Sequence, residues 1–197
     1  MRRWMIVIVS VLMLAQATPA SAQGTDDRAV WIWSHPSTLD PTAIAAEGFD
    51  HVYLWAPPGF SADPAFDDFV GDARSTGLDV LAVGGDPSWA SSPRAWRTWA
   101  REVERSGLWD GAVLDVEPYL HPDWTTNREG LLRTYFRGMG SANKQLSIPM
   151  HVAVPFWFDE IGYRSSTALD HVLRKADGIV VLAYRDHAEG VDGILDL

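Results

Sequence analysis

The sequence predicts an α/β fold of the (β/α)8 TIM-barrel type, with about six βα units present in this chain. Three observations carry that prediction. From Arg28 onward, short runs rich in Val, Ile and aromatic residues alternate with helical stretches, the pattern of parallel βα units. A doubly wound nucleotide-binding sheet wants a Gly-x-Gly-x-x-Gly turn after its first strand, and here the sequence reads VWIWSHPS instead. The runs end in WSHP, WAPPG, GGDPSW, DVEPY, PFWFDE and AYRD. Aromatics, Gly and acids thus recur where a barrel gathers its chemistry, at the C-terminal ends of its strands.

The elements follow in order. Residues 1–22 read as a secretory signal peptide: Arg2 and Arg3 lead a short apolar run, and Ala20-Ser21-Ala22 is a small-x-small cleavage site. Residues 23–197 then form a partial barrel domain. Strands are expected in AVWIW (29–33), HVYLWAP (51–57), DVLAVGG (79–85), GAVLDVE (111–117), IPMHVAVPFWF (148–158) and GIVVLAY (178–184). Helices are expected over 41–48, 63–77, 92–107, 125–140 and 165–177. Gly48, Gly77 and Gly107 act as stops, and Ser92-Pro93 as an N-cap with proline at the first helical position. Trp96, Trp99 and Val103 form an apolar stripe on the third helix. A full barrel takes roughly 250 residues. The chain ends at VDGILDL, where a sixth helix would begin, so the sequence reads as a barrel truncated at its C-terminus.

Composition narrows the partners. The net charge is −10, and the expected leader holds two of the 16 basic residues and none of the 26 acidic ones, so its removal takes the charge to −12. That balance disfavours nucleic acid or an anionic membrane as a partner. No segment after the leader is apolar enough to span a membrane, and the absence of Cys rules out disulfides and a lipoprotein anchor. The six His show no HxH or HxxxH spacing, so no metal site and no cofactor are expected. A location outside the cytoplasm, secreted or periplasmic, follows from the leader.

The fourth run is the most informative. In WDGAVLDVEPYL, Asp115 and Glu117 alternate around Val116 and so share one side of a strand, with Cα atoms roughly 6.6 Å apart. Pro118 ends the strand. Two carboxylates so close raise one pKa, as a general acid near neutral pH requires. The alternative is that both acids are solvated loop residues or pair with Arg.

DGAVLDVEPY resembles the fourth-strand DGxDxDxE signature of the family 18 glycoside hydrolases, the chitinase-like barrels. Asp110, Asp115 and Glu117 fall on its first Asp, third Asp and Glu, and Val113 stands where the motif has its second Asp. The resemblance implies that Glu117 is the general acid/base and Asp115 the residue that orients a reacting acetamido group. VLAVGGDPSW is similar to the family's third-strand SxGG, with Ala82 in place of Ser and Gly84 and Gly85 on the glycines. LAYRD looks like the sixth-strand MxYD with one residue inserted. Tyr184 matches its Tyr, a supporting hydrogen-bond donor in the family, and Asp186 is displaced from its Asp.

Aromatics near the strand ends suit a sugar, because flat rings stack on the C–H faces of pyranoses. Trp33, Trp55, Trp89, Tyr119 and Trp157 are the candidate substrate contacts. The reading is a secreted glycoside hydrolase-like protein acting on a poly- or oligosaccharide. Its rivals are a carbohydrate-binding barrel without turnover and an exported barrel domain of unrelated hydrolase function.

Overall fold

Six strands run parallel in the computed structural model, which describes residues 8–10 and 27–183. They are β2 (Arg28–Ile32), β3 (His51–Trp55), β4 (Asp79–Gly84), β5 (Gly111–Leu114), β6 (Met150–Pro155) and β9 (Gly178–Leu182), paired in that order. The short β1 (Ile8–Ser10), inside the expected leader, pairs antiparallel along β2. Between the strands lie α1 (Pro41–Ala46), α2 (Pro64–Ser75), α3 (Pro93–Ser106), α4 (Trp124–Asn143) and α5 (Ala168–Leu173). A hairpin of β7 (Gly162–Tyr163) and β8 (Ser166–Thr167) precedes α5. The result is a curled half-barrel of βα units, part of the expected TIM-type architecture.

Two faces of the sheet define two cores. The helix-facing layer is large and holds the bulkiest buried side chains, among them Trp96, Trp99 and Tyr135. Trp99 donates its indole N–H to the Ala56 carbonyl (2.8 Å), and Trp96 to that of Trp89 (2.8 Å). The inner face carries a smaller cluster of Ala29, Tyr53, Leu81, Val83, Val113 and Val180, flanked by Trp31 and Trp55. Val113, at the position of the family motif's second Asp, is therefore apolar packing inside the curl.

Acids tie the strand starts together. Asp50, Asp110 and Asp177 each stand one residue before a strand and accept the N–H of the neighbouring strand: Arg28 (2.9 Å), Val80 (2.8 Å) and Met150 (2.8 Å). Asp110 also takes the guanidinium of Arg74 (2.8 Å). Sheet pairing leaves these leading donors bare, and the carboxylates satisfy them. The first three helix starts repeat one device, an N-cap position followed by Pro. Asp40 and Asp63 cap α1 and α2 through their side chains, whereas Ser92 holds the position before α3 without a side-chain bond. Gly77 and Gly107 follow α2 and α3 with φ of 86° and 63°, the left-handed stop the sequence suggests.

Candidate active site

The strand ends turn through short 3-10 helices, and three of these share a pattern: a polar residue, then Pro. His35 precedes Pro36, Asp86 precedes Pro87 and Glu117 precedes Pro118. The first two cap their own turns, His35 accepting from the Ser37 N–H and Asp86 from the Ser88 N–H at 2.8 Å. Hydrogen bonds from the Ser88 side chain and then its backbone N–H hold the Asp86 carboxyl below the usual range. Glu117 makes no capping bond. Its carboxylate instead accepts the phenolic hydrogen of Tyr119. Half-buried and uncapped, Glu117 is pushed above the normal Glu range by desolvation.

Asp115 lies one residue past β5. The expected strand over 111–117 stops at Leu114, although the Asp115 N–H still reaches the Gly84 carbonyl (2.9 Å). Beyond that bond the backbone of Asp115 presses on Gly85, where an added Cβ would overlap the Asp115 carbonyl. A Cβ on Gly84 would run into the indole of Trp99. The paired glycines therefore serve backbone and ring packing: one seats β4 on α3, the other admits the segment carrying Asp115.

Burial first, and the charge of Glu117 second, raise the Asp115 carboxyl to about 7. Its Oδ1 is buried without a hydrogen-bond partner among the described residues, and so is the hydroxyl of Tyr135 on α4. Burial and the Asp115 charge both push the Tyr135 phenol upward, which puts the two groups within electrostatic reach. Tyr135 was not legible as a site residue, because it occupies one position of an ordinary apolar helix stripe.

Aromatics flank the carboxylates. Tyr119 packs edge-on against Trp157, with centroids 5.1 Å apart. At the ends of β2 and β3, Trp33, one residue past β2, stacks with Trp31 (5.9 Å) and leans on Trp55 (5.1 Å). Trp33 is 56% exposed, the most open of the candidate rings. Trp31, absent from the expected contacts, belongs to this group through the period-two alternation of β2. Trp89 differs: it is 9% exposed and sits in the helix-facing layer beside Trp99 (6.3 Å), so little of its ring is open to a ligand. Tyr184 and Asp186 lie outside the described residues, as does most of the expected leader. Among the described residues no group of three or more His, Cys, Asp or Glu could hold a metal ion.

No family model matches the chain, and no curated protein matches it. Its fold is similar to that of a mutant GH18 chitinase from Cycas revoluta solved with (GlcNAc)4, with 17% identity and a TM-score of 0.51 over 77% of this chain and 53% of that one. The family GH18 chitinase from Cycas revoluta in complex with allosamidin shows 20% identity and a TM-score of 0.49, with the same coverage. A Group II chitinase catalytic domain from Ostrinia furnacalis shows 16% identity and a TM-score of 0.42, over 77% of this chain and 45% of that one. The chain spans about half the length of these chitinases. The likeness is one of fold, to part of a GH18 chitinase barrel.

Proposed function

We propose that this chain acts on a poly- or oligosaccharide outside the cytoplasm, by acid/base catalysis at Glu117. The observation that carries the reading is the contrast at the strand ends: His35 and Asp86 cap their own turns, while Glu117 is uncapped, half-buried and poised with a raised pKa. A carboxyl that holds its proton more tightly than an ordinary Glu suits delivery of that proton to a glycosidic oxygen. Asp115, beside it and balanced near neutrality, serves as the partner carboxylate. On a 2-acetamido sugar the steps balance as follows. The acetamido oxygen, oriented by Asp115, attacks C1 as the C1–O bond breaks, and the leaving oxygen takes the proton of Glu117. Water then attacks C1, the bond between C1 and the acetamido oxygen breaks to restore the acetamido group, and the water's proton passes to Glu117. Tyr184 is the proposed supporting donor, on the strength of the motif resemblance. Trp33, Trp55, Tyr119 and Trp157 offer stacking faces for the sugar.

A second reading, sugar binding without turnover, is favoured by Val113 in the apolar inner cluster. The two separate in one experiment. The protein is incubated with chitin oligosaccharides, other polysaccharides and aryl glycosides, and reducing ends and bound sugar are both measured. New reducing ends support hydrolysis. Saturable binding without new ends supports the second reading.

A further inference from the structure

Half of the basic side chains outside the expected leader gather in one place. A groove of about 810 Å³ between α3, α4 and the β7–β8 hairpin is lined by Arg94, Arg97, Arg133, Arg137, Arg164, Lys144 and Lys175. These include both lysines of the chain, and no acid among the described residues lines the groove, in a protein of net charge −10. None of its lining residues belongs to the barrel mouth.

The cations are presented in register. On α4, Arg133, Arg137 and Lys144 recur at steps of four and seven, with Gly140 and Ser141 keeping the stripe low between them. Arg94 and Arg97 face them from the start of α3. The floor is aromatic: Phe136, Tyr163 and His171 pack at centroid distances of 4.8–5.1 Å. Of the seven cations lining the groove, only Arg133 has an acidic partner among the described residues, the exposed Glu129 at 3.5 Å. The remaining cations face one another with no counter-charge in the groove among the described residues, and the neighbouring Arg174, Arg164 and Lys175 add to burial in pushing the His171 imidazole downward.

Arg164 supplies an independent sign. It occupies the hairpin turn with φ 56°, among the described residues the one non-glycine with positive φ. Backbone preference there asks for Gly or Asn. The chain keeps an Arg whose guanidinium lies over the Tyr163 ring (5.3 Å) and lines the groove. Strain retained in this way marks positions with a task.

We propose that this groove binds an acidic glycan, a chain of a few sugars bearing carboxylate, sulfate or phosphate groups. Five of the seven cations are Arg, whose planar fork engages such oxyanions in pairs of hydrogen bonds. The volume is that of a site for a discrete ligand. The acidic remainder of the protein repels a long nucleic acid or a flat anionic bilayer, whereas a short charged oligosaccharide fits within the concave basic zone. The site is separate from Glu117 and stands whether or not that residue is catalytic.

The test measures binding of a sulfated hexasaccharide and an oligogalacturonate to the full chain. Controls are neutral chitohexaose, a single-stranded oligonucleotide of matched charge and vesicles rich in phosphatidylserine. The acidic sugars are expected to bind, with affinity falling steeply as salt rises. The Arg97→Glu/Arg137→Glu double variant is expected to weaken binding by about tenfold or more. Arg164→Gly, which suits the turn's backbone, is expected to weaken it as well while the chain stays folded. Glu117→Gln is expected to bind the acidic sugars as the parent does, so this result is read apart from any loss of hydrolysis. Undiminished binding in both groove variants would overturn the proposal, as would preference for the oligonucleotide, the vesicles or the neutral sugar.

Discussion

Gly85 and Asp115 are in backbone contact: the main chain of Asp115 fills the space that any side chain on Gly85 would need. The third and fourth βα units are locked together there, and the position of both acids follows from it. Gly85→Ala is therefore expected to displace the Asp115 segment and destabilise the fold by about 1–3 kcal/mol. Denaturant melts give the stability change. A loss of the proposed saccharide turnover larger than that change accounts for reports the displacement.

The Asp115 carboxyl makes stability depend on pH. Burial, and then the charge of Glu117, raise its pKa to about 7 in the folded chain from an ordinary value of 3.8. A raised carboxyl stabilises most when protonated in both states, below about pH 4. Its contribution declines as pH rises from there and is lost once pH passes the folded value of about 7. The lowered carboxyls of Asp63, Asp86, Glu104 and Asp170 act in the opposite direction, their contributions present above their ordinary range and lost only in acid. Asp115→Asn is expected to be stabilising by on the order of 1–2 kcal/mol at pH 8 and near neutral at pH 4. Thermal melts of both proteins across that range check the slope.

Tyr119 holds Glu117 by a hydrogen bond to the carboxylate, which favours the ionised form. Tyr119→Phe removes the donor and leaves burial unopposed, so the Glu117 pKa is expected to rise further. The alkaline limb of the kcat/KM profile then moves to higher pH, by up to about one unit. A limb that stays in place would assign that ionisation elsewhere.

Two tryptophans separate ligand contact from packing. Trp33 is exposed beside Trp31 and Trp55, while Trp99 is buried with its indole bonded to Ala56. Trp33→Ala is expected to leave stability within about 0.5 kcal/mol while weakening saccharide binding. Trp99→Ala is expected to cost about 3–5 kcal/mol. Melts and sugar-induced fluorescence quenching report the two effects.

Much of this architecture was legible in the sequence. Period-two runs between Gly and Pro signals located the six parallel strands, and the WxxW stripe located the buried face of α3. Asp115 and Glu117 stood out because acids beside a buried strand demand a reason. Other features depend on residues far apart in the chain. The strand ends at Leu114, three residues early, because Asp115 meets Gly85 across the sheet. Tyr135 nears Asp115 only once α4 has folded back over the sheet. Asp159 and Glu160 close a 3-10 turn past β6, and the β7–β8 hairpin intervenes before α5. The basic groove draws on α3, α4, the hairpin and the residue after α5, so no single segment reveals it.

The most direct measurement compares Glu117→Gln with the parent chain on a cleaved saccharide, with folding matched by thermal melts. Gln keeps the shape and loses the proton. Loss of kcat by about a hundredfold or more, with sugar affinity retained, is the predicted result. Equal turnover in the two proteins would contradict the assignment of Glu117 as the acid/base.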